Sequence, residues 1–100
     1  MAVYKIVFTT KSEEELIEAA FYYESQQKGL GYRFRDSIFL IINSIENNPF
    51  LFQRKYKQYR EAPLKEFPFI VIYKIYTKEI IISAIFHTKR KPKNKLKPKL

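Results

Sequence analysis

The chain has no cysteine, no tryptophan, one histidine and two glycines in 100 residues. Without cysteine there is neither a disulfide framework nor a thiolate metal site, a pattern suited to a reducing cytoplasm. A lone histidine argues against a structural zinc site. No apolar run approaches the ~20 residues of a membrane span. The first residues also lack the basic-then-apolar pattern of a signal peptide. The expectation is a cytoplasmic protein with no membrane contact, no metal and no cofactor.

What is present points to one small packed domain. The hydrophobic fraction of 46% and the seventeen aromatics (eight Tyr, nine Phe) exclude a disordered chain. The net charge of +9 is unevenly placed. Seven cations and no acid lie between Thr88 and Leu100, so removing those seven leaves the body near +2. That balance suits a polyanionic or acidic partner. The lysine-proline end shows no apolar periodicity and is expected to be disordered. The domain is accordingly set at residues 1–88, with a basic tail at 89–100.

Phe67 to Arg90 organises the chain. Two runs rich in Ile, Val, Tyr and Phe flank Thr77-Lys78-Glu79, which predicts a β-hairpin. A two-residue loop at Thr77 and Lys78 pairs Ile75 with Ile80, Tyr73 with Ile82, Val71 with Ala84 and Phe69 with Phe86. That face is wholly apolar or aromatic and is expected to cover the core. The other face mixes Ile70, Ile72, Lys74, Ile81, Ile85 and His87 with further polar groups. An apolar patch with a polar rim reads as a partner site. One extra residue would exchange the faces on one strand.

Upstream, Val3 to Phe8 reads as a short strand. Ser12, followed by Glu13, Glu14 and Glu15, reads as a capping box opening a helix from about Glu13 to Gln27. Gly29 and Gly31 break that helix. A second begins near Leu30 and stops at Asn47-Asn48-Pro49. Its core-facing stripe is Phe34, Ile38, Ile41, Ile42 and Ile45, of which Phe34, Ile38, Ile41 and Ile45 are expected to pack on Phe69, Val71, Ile82 and Ala84. Phe50 to Gln53 should be a loop with Phe50 and Phe52 tucked inward, and Lys57 to Pro63 an edge strand. The fold class is α+β. An antiparallel helical hairpin lies on one face of a mainly antiparallel four-stranded sheet, in the order β-α-α-β-β-β.

With these residues in hand, the chain resembles the RelE/ParE superfamily. The likeness rests on Gly29-Leu30-Gly31, Asn48-Pro49, Arg60, Phe67 to Ile75, and Ile81 to Pro92. These are toxins of bacterial type II toxin–antitoxin (plasmid stabilisation) modules. The resemblance implies the same fold and a cognate antitoxin that wraps the toxin with a partly disordered segment. It also implies one of two activities. ParE-like members poison DNA gyrase without catalysis. RelE-like members are ribosome-dependent mRNA interferases, cleaving messenger RNA with basic residues and a late Tyr or His. The pattern lies closer to the ParE side, although His87 matches the place of a catalytic histidine in some nucleases.

The candidate residues carry both readings. If the chain is RelE-like, His87, Arg60 and Arg90 would be catalytic, with Lys57 assisting. Otherwise His87 is a strand-end histidine and Arg60 a surface cation. Arg54, Lys55, Lys57, Arg60 and Arg90, interleaved with Tyr56 and Tyr59, suit a nucleic acid or another target. Their plain alternative is a solvated edge. Ile70, Ile72, Lys74, Ile81 and Ile85 form the expected antitoxin surface. The expected partners are an acidic antitoxin and either DNA gyrase or the ribosome with its mRNA. The assembly is a homodimer or a toxin–antitoxin hetero-oligomer. A basic RNA-binding module that is no toxin is the remaining reading.

Overall fold

The computed structural model describes residues 3–89. The expectations for Arg90 and for the tail from Arg90 onward fall outside them. The elements are β1 (Lys5–Phe8), α1 (Thr10–Gln26), α2 (Leu30–Asn47), β2 (Arg54–Tyr56), β3 (Tyr59–Pro63), β4 (Phe69–Tyr76) and β5 (Glu79–His87). They form a two-layer α+β fold. The sheet order is β1-β5-β4-β3-β2, with β1 parallel to β5 and every other pair antiparallel.

The sheet has five strands rather than the four expected. The added strand, Arg54–Tyr56, precedes the Lys57 to Pro63 segment read as the edge, and Lys57, in a left-handed turn conformation with φ 52°, folds it back on Tyr59–Pro63. Tyr56 and Tyr59 therefore face each other, and β3 lies inside the sheet with β2 outside it.

The first helix starts earlier than the capping box implied. Thr9 is the N-cap, its Oγ1 accepting from the Ser12 amide at 3.1 Å. Ser12 is buried within the first turn and donates back to the Thr9 carbonyl. Glu15, no longer needed at the cap, is free to act elsewhere. Between the helices, Gly29 takes φ 89°, the left-handed region open to glycine. At Gly31 a Cβ would stand 2.4 Å from the Ala20 carbonyl oxygen, so only glycine permits this helix approach. The Glu24 carboxylate accepts from the amides of both Gly29 and Gly31, satisfying donors at the start of α2.

The main core lies between the helices and one sheet face. Phe34, Ile38, Ile42 and Ile45 from α2 meet Phe67, Phe69, Val71, Tyr73, Ile80, Ile82 and Ile85. Ile42 of the expected stripe is buried, whereas Ile41 packs at the core's margin.

The hairpin register explains a larger correction. Tyr76 to Tyr73 pair with Glu79 to Ile82 as expected, but Ile72 then pairs with Ala84. Ser83 is the extra residue of a β-bulge, which turns every later side chain of β5 to the other face. Ile85, assigned above to the partner surface, is instead sealed in the main core at 1% exposure. Ala84 and Phe86, assigned to that core, join Ile70 and Ile72 in a second cluster on the opposite face. The same switch brings His87, now paired with Phe69, to the helix side.

Candidate functional site

Two groupings of candidate side chains stand at opposite ends of the helix-facing side of the hairpin. The first surrounds Arg60 on β3. Register places Arg60 beside Tyr73 and opposite Arg54. Its guanidinium donates to the Phe52 carbonyl at 2.7 Å and lies over the Phe50 ring, 5.1 Å from the centroid. Tyr73 is fully buried, and its hydroxyl donates to the Pro49 carbonyl at 2.7 Å. These two bonds fasten the loop between α2 and β2 to the sheet. Burial pushes the Tyr73 phenol up to about 12, against the opposing pull of the Arg60 charge and a backbone hydrogen bond from Phe52. Phe52 packs against the core, whereas Phe50, expected inside, is exposed beneath Arg60.

Around this end the surface is basic and aromatic. Arg54, Lys55 and Lys57 are exposed. Lys57 sits over the Tyr56 ring and Lys74 over Tyr59. Cations above ring faces hold both a charge and a stacking plane toward solvent.

The second grouping surrounds His87. A cleft of about 350 Å³ is lined by Glu15, Glu18, Tyr22, Tyr23, Phe69 and His87, among others. The imidazole meets Phe69 edge-on at 4.9 Å, and its Nδ1 accepts from the Lys89 amide at 3.1 Å. Glu15 crosses from α1 to the bulged strand. One carboxylate oxygen accepts from the Ile85 amide at 2.8 Å and the other from Lys11 at 2.8 Å. Burial, with the neighbouring Tyr22, raises the Tyr23 phenol above its ordinary value.

The two groupings do not meet. Arg60 is level with Tyr73 and His87 with Phe69, four residues apart on β4. That places them about 13 Å apart along the strands and about 10 Å across two strand spacings. The arginine and histidine expected to share a catalytic set are therefore not brought together.

The expected antitoxin surface is also divided. Ile72 and Ile85 are fully buried, in different clusters, and Ile70 is nearly so. Lys74 and Ile81 stay partly open. Among the large exposed apolar groups, several lie instead on the helical hairpin, others on the loop after α2 and at strand ends. Ile17, Phe21 and Tyr32, with Phe21 72% exposed, border a groove of about 250 Å³ beside Gly31 and Arg35. A signal existed in the sequence, since Ile17 and Phe21 fall outside the stripe Leu16, Ala19, Ala20 and Tyr23 that faces the core.

Among the described residues no helix is long and apolar enough to cross a membrane, and no group of three or more His, Asp or Glu could hold a metal ion.

A family model described as the ParE toxin of the type II toxin–antitoxin system parDE matches residues 6–92. Among solved structures, the fold is similar to a chain of the chromosomal ParDE toxin–antitoxin system from P. aeruginosa. That match has a TM-score of 0.65 and 16% identity, covering 87% of this chain and 98% of that one. The E. coli DinJ-YafQ toxin–antitoxin complex also matches, with a TM-score of 0.57 and 15% identity over 85% of this chain and 92% of that one. At these identities the structural likeness concerns the fold alone. No curated protein sequence matches the chain.

Proposed function

The chain belongs to the ParE toxin family of type II toxin–antitoxin systems, and on that premise we propose that it arrests growth by binding its target rather than by cutting RNA. The proposed target is DNA gyrase, and a cognate antitoxin neutralises the toxin. The observation that carries this reading is the separation of Arg60 from His87. Ribonucleolytic chemistry needs a proton-transfer group and a phosphate-holding cation around one reacting centre. Here the cation is occupied with a backbone carbonyl and a ring at one end of the sheet, and the histidine lies at the other. A protein that acts by contact needs no such convergence.

The contact surface toward the target is the basic, aromatic end formed by Arg54, Lys55, Lys57 and Arg60 with Tyr56 and Tyr59. The antitoxin's apolar anchors fit the helical groove at Ile17, Phe21 and Tyr32, where apolar area is open to solvent. An acidic antitoxin is favoured by the +9 charge, which would speed its association by steering.

The ribosome-dependent nuclease is the competing reading, and one feature favours it. His87 shares its cleft with Glu15, Glu18, Tyr22 and Tyr23, all groups able to carry protons. Expression without antitoxin separates the two. The binding reading expects a DNA-damage response with ribosome-bound messages intact. Codon-positioned cuts in mRNA that disappear in His87→Ala would replace it with the nuclease reading.

A further inference from the structure

Two elements of opposite charge stand out in this basic chain. α1 carries five of the ten acids against a single cation, Lys11, for a net −4. Residues 53–60, which run through β2 into β3, carry Arg54, Lys55, Lys57 and Arg60 and no acid, for a net +4. Lys11 is held by Glu15. Glu13, Glu14 and Glu18 are exposed, and among the described residues no cation pairs with them. Glu14, Ile17, Glu18 and Phe21 follow one another at helical spacings of three and four. The unpaired carboxylates therefore border the apolar groove at Ile17, Phe21 and Tyr32.

We propose that this groove receives the β2–β3 hairpin of a second copy of the chain, so that the protein associates head to tail. The hairpin suits the groove by shape and by charge. Every residue from Gln53 to Gln58 is exposed, and β2 buries no side chain of its own. The hairpin thus stands out at the sheet edge while contributing little to the core. Phe50, Leu51 and Tyr56 are exposed as well, and these are apolar groups to set against Phe21 and Tyr32. Register also places Arg54 directly opposite Arg60. Like charges so placed destabilise a strand pair, and carboxylates brought from another chain relieve them.

The two surfaces lie apart within one chain. α1 packs over β1 and β5, whereas β2 is the outermost strand at the other edge. First to last of five strands is about 19 Å. Nor do the surfaces suit a symmetric dimer. Groove on groove would set −4 against −4, and hairpin on hairpin +4 against +4, and such repulsion rejects both pairings. Only the unlike pair is complementary. An interface between two different patches builds rings or open chains rather than a two-fold dimer. The self-association does not rest on the growth-arrest reading. Where that reading holds, the assembly covers both the proposed target surface and the groove proposed for the antitoxin.

Sedimentation of the full-length chain tests the proposal. In low salt the parent should form a concentration-dependent series of assemblies that disperses to monomer in high salt, because exposed charges are screened there. Glu14→Lys/Glu18→Lys and Lys55→Glu/Lys57→Glu, all at exposed positions, should each stay monomeric while circular dichroism shows them folded. An equal mixture of the two should associate again. Phe21→Ser should weaken the parent's association severalfold. A parent that stays monomeric in low salt would overturn the inference. So would association that neither charge reversal disturbs, which would make a symmetric apolar dimer the occupant. A mixture of the two variants that remains monomeric would overturn it as well, since groove and hairpin would then have no contact.

Discussion

The Arg60 end and the His87 end of the central hairpin use similar residue types to different ends. Around Arg60 the polar groups are spent on the fold: a guanidinium on the Phe52 carbonyl, a buried phenol on the Pro49 carbonyl. Around His87 an imidazole, carboxylates and tyrosines border an open cleft. A polar group that satisfies a buried carbonyl is costly to remove, whereas one in an open cleft can exchange its partner for water. Side-chain identity alone does not separate the two cases. What separates them is whether the loop between α2 and β2, or the bulge at Ser83, consumes the hydrogen bonds on offer.

The largest effect is expected where the bulge redirects a core residue. Ile85→Ala should lower stability by roughly 2–5 kcal/mol in denaturant melts, as for a large aliphatic truncated in a packed interior. An effect of a few tenths would return Ile85 to the surface and erase the inferred geometry of the His87 end.

Tyr73→Phe probes the Arg60 end. It leaves the Pro49 carbonyl without its donor and should cost about 1–3 kcal/mol. Alkaline unfolding gives a second readout. A phenol at about 12 in the fold, against the ordinary 10.0, holds its proton more tightly when folded. Its contribution is therefore complete below pH 10 and is lost as pH rises through about 12. Tyr73→Phe should flatten that part of the stability profile. An unchanged slope would show that the phenol is not held neutral by burial.

Glu15→Ala should cost about 1–2 kcal/mol, because the Ile85 amide at the bulge would lose its acceptor. Glu15→Gln retains an acceptor and should recover much of the loss. If both substitutions were silent, the helix-to-bulge bond would have no part in holding the His87 cleft. The smallest effect is expected at the cleft's rim, where His87→Ala should change the melting midpoint by no more than about 0.5 kcal/mol equivalent.

Much of this architecture is readable from the chain. The hairpin from Phe69 to His87 follows from alternation around Thr77-Lys78, and the α2 boundaries follow from Gly29, Gly31 and Pro49. The bulge is not readable, because Ser83 fits either face of a strand and no local rule marks an inserted residue. Its consequence spreads to Ala84, Ile85, Phe86 and His87, all of which change face. Glu15 illustrates a second kind of ambiguity. The sequence Ser12-Glu13-Glu14-Glu15 matches a capping box, yet Thr9 is the cap and Glu15 bonds a strand 70 residues away. The role of Arg60 depends on the backbone path of residues 49–52, which charge and periodicity do not encode.

The most direct test of action by contact is a gyrase assay with the purified full-length chain, supercoiled plasmid and ATP. Parent and His87→Ala should both trap gyrase on cleaved plasmid to the same extent, while both leave mRNA on programmed ribosomes uncut. Absence of trapped gyrase, together with ribosomal mRNA cleavage that His87→Ala abolishes, would contradict the account.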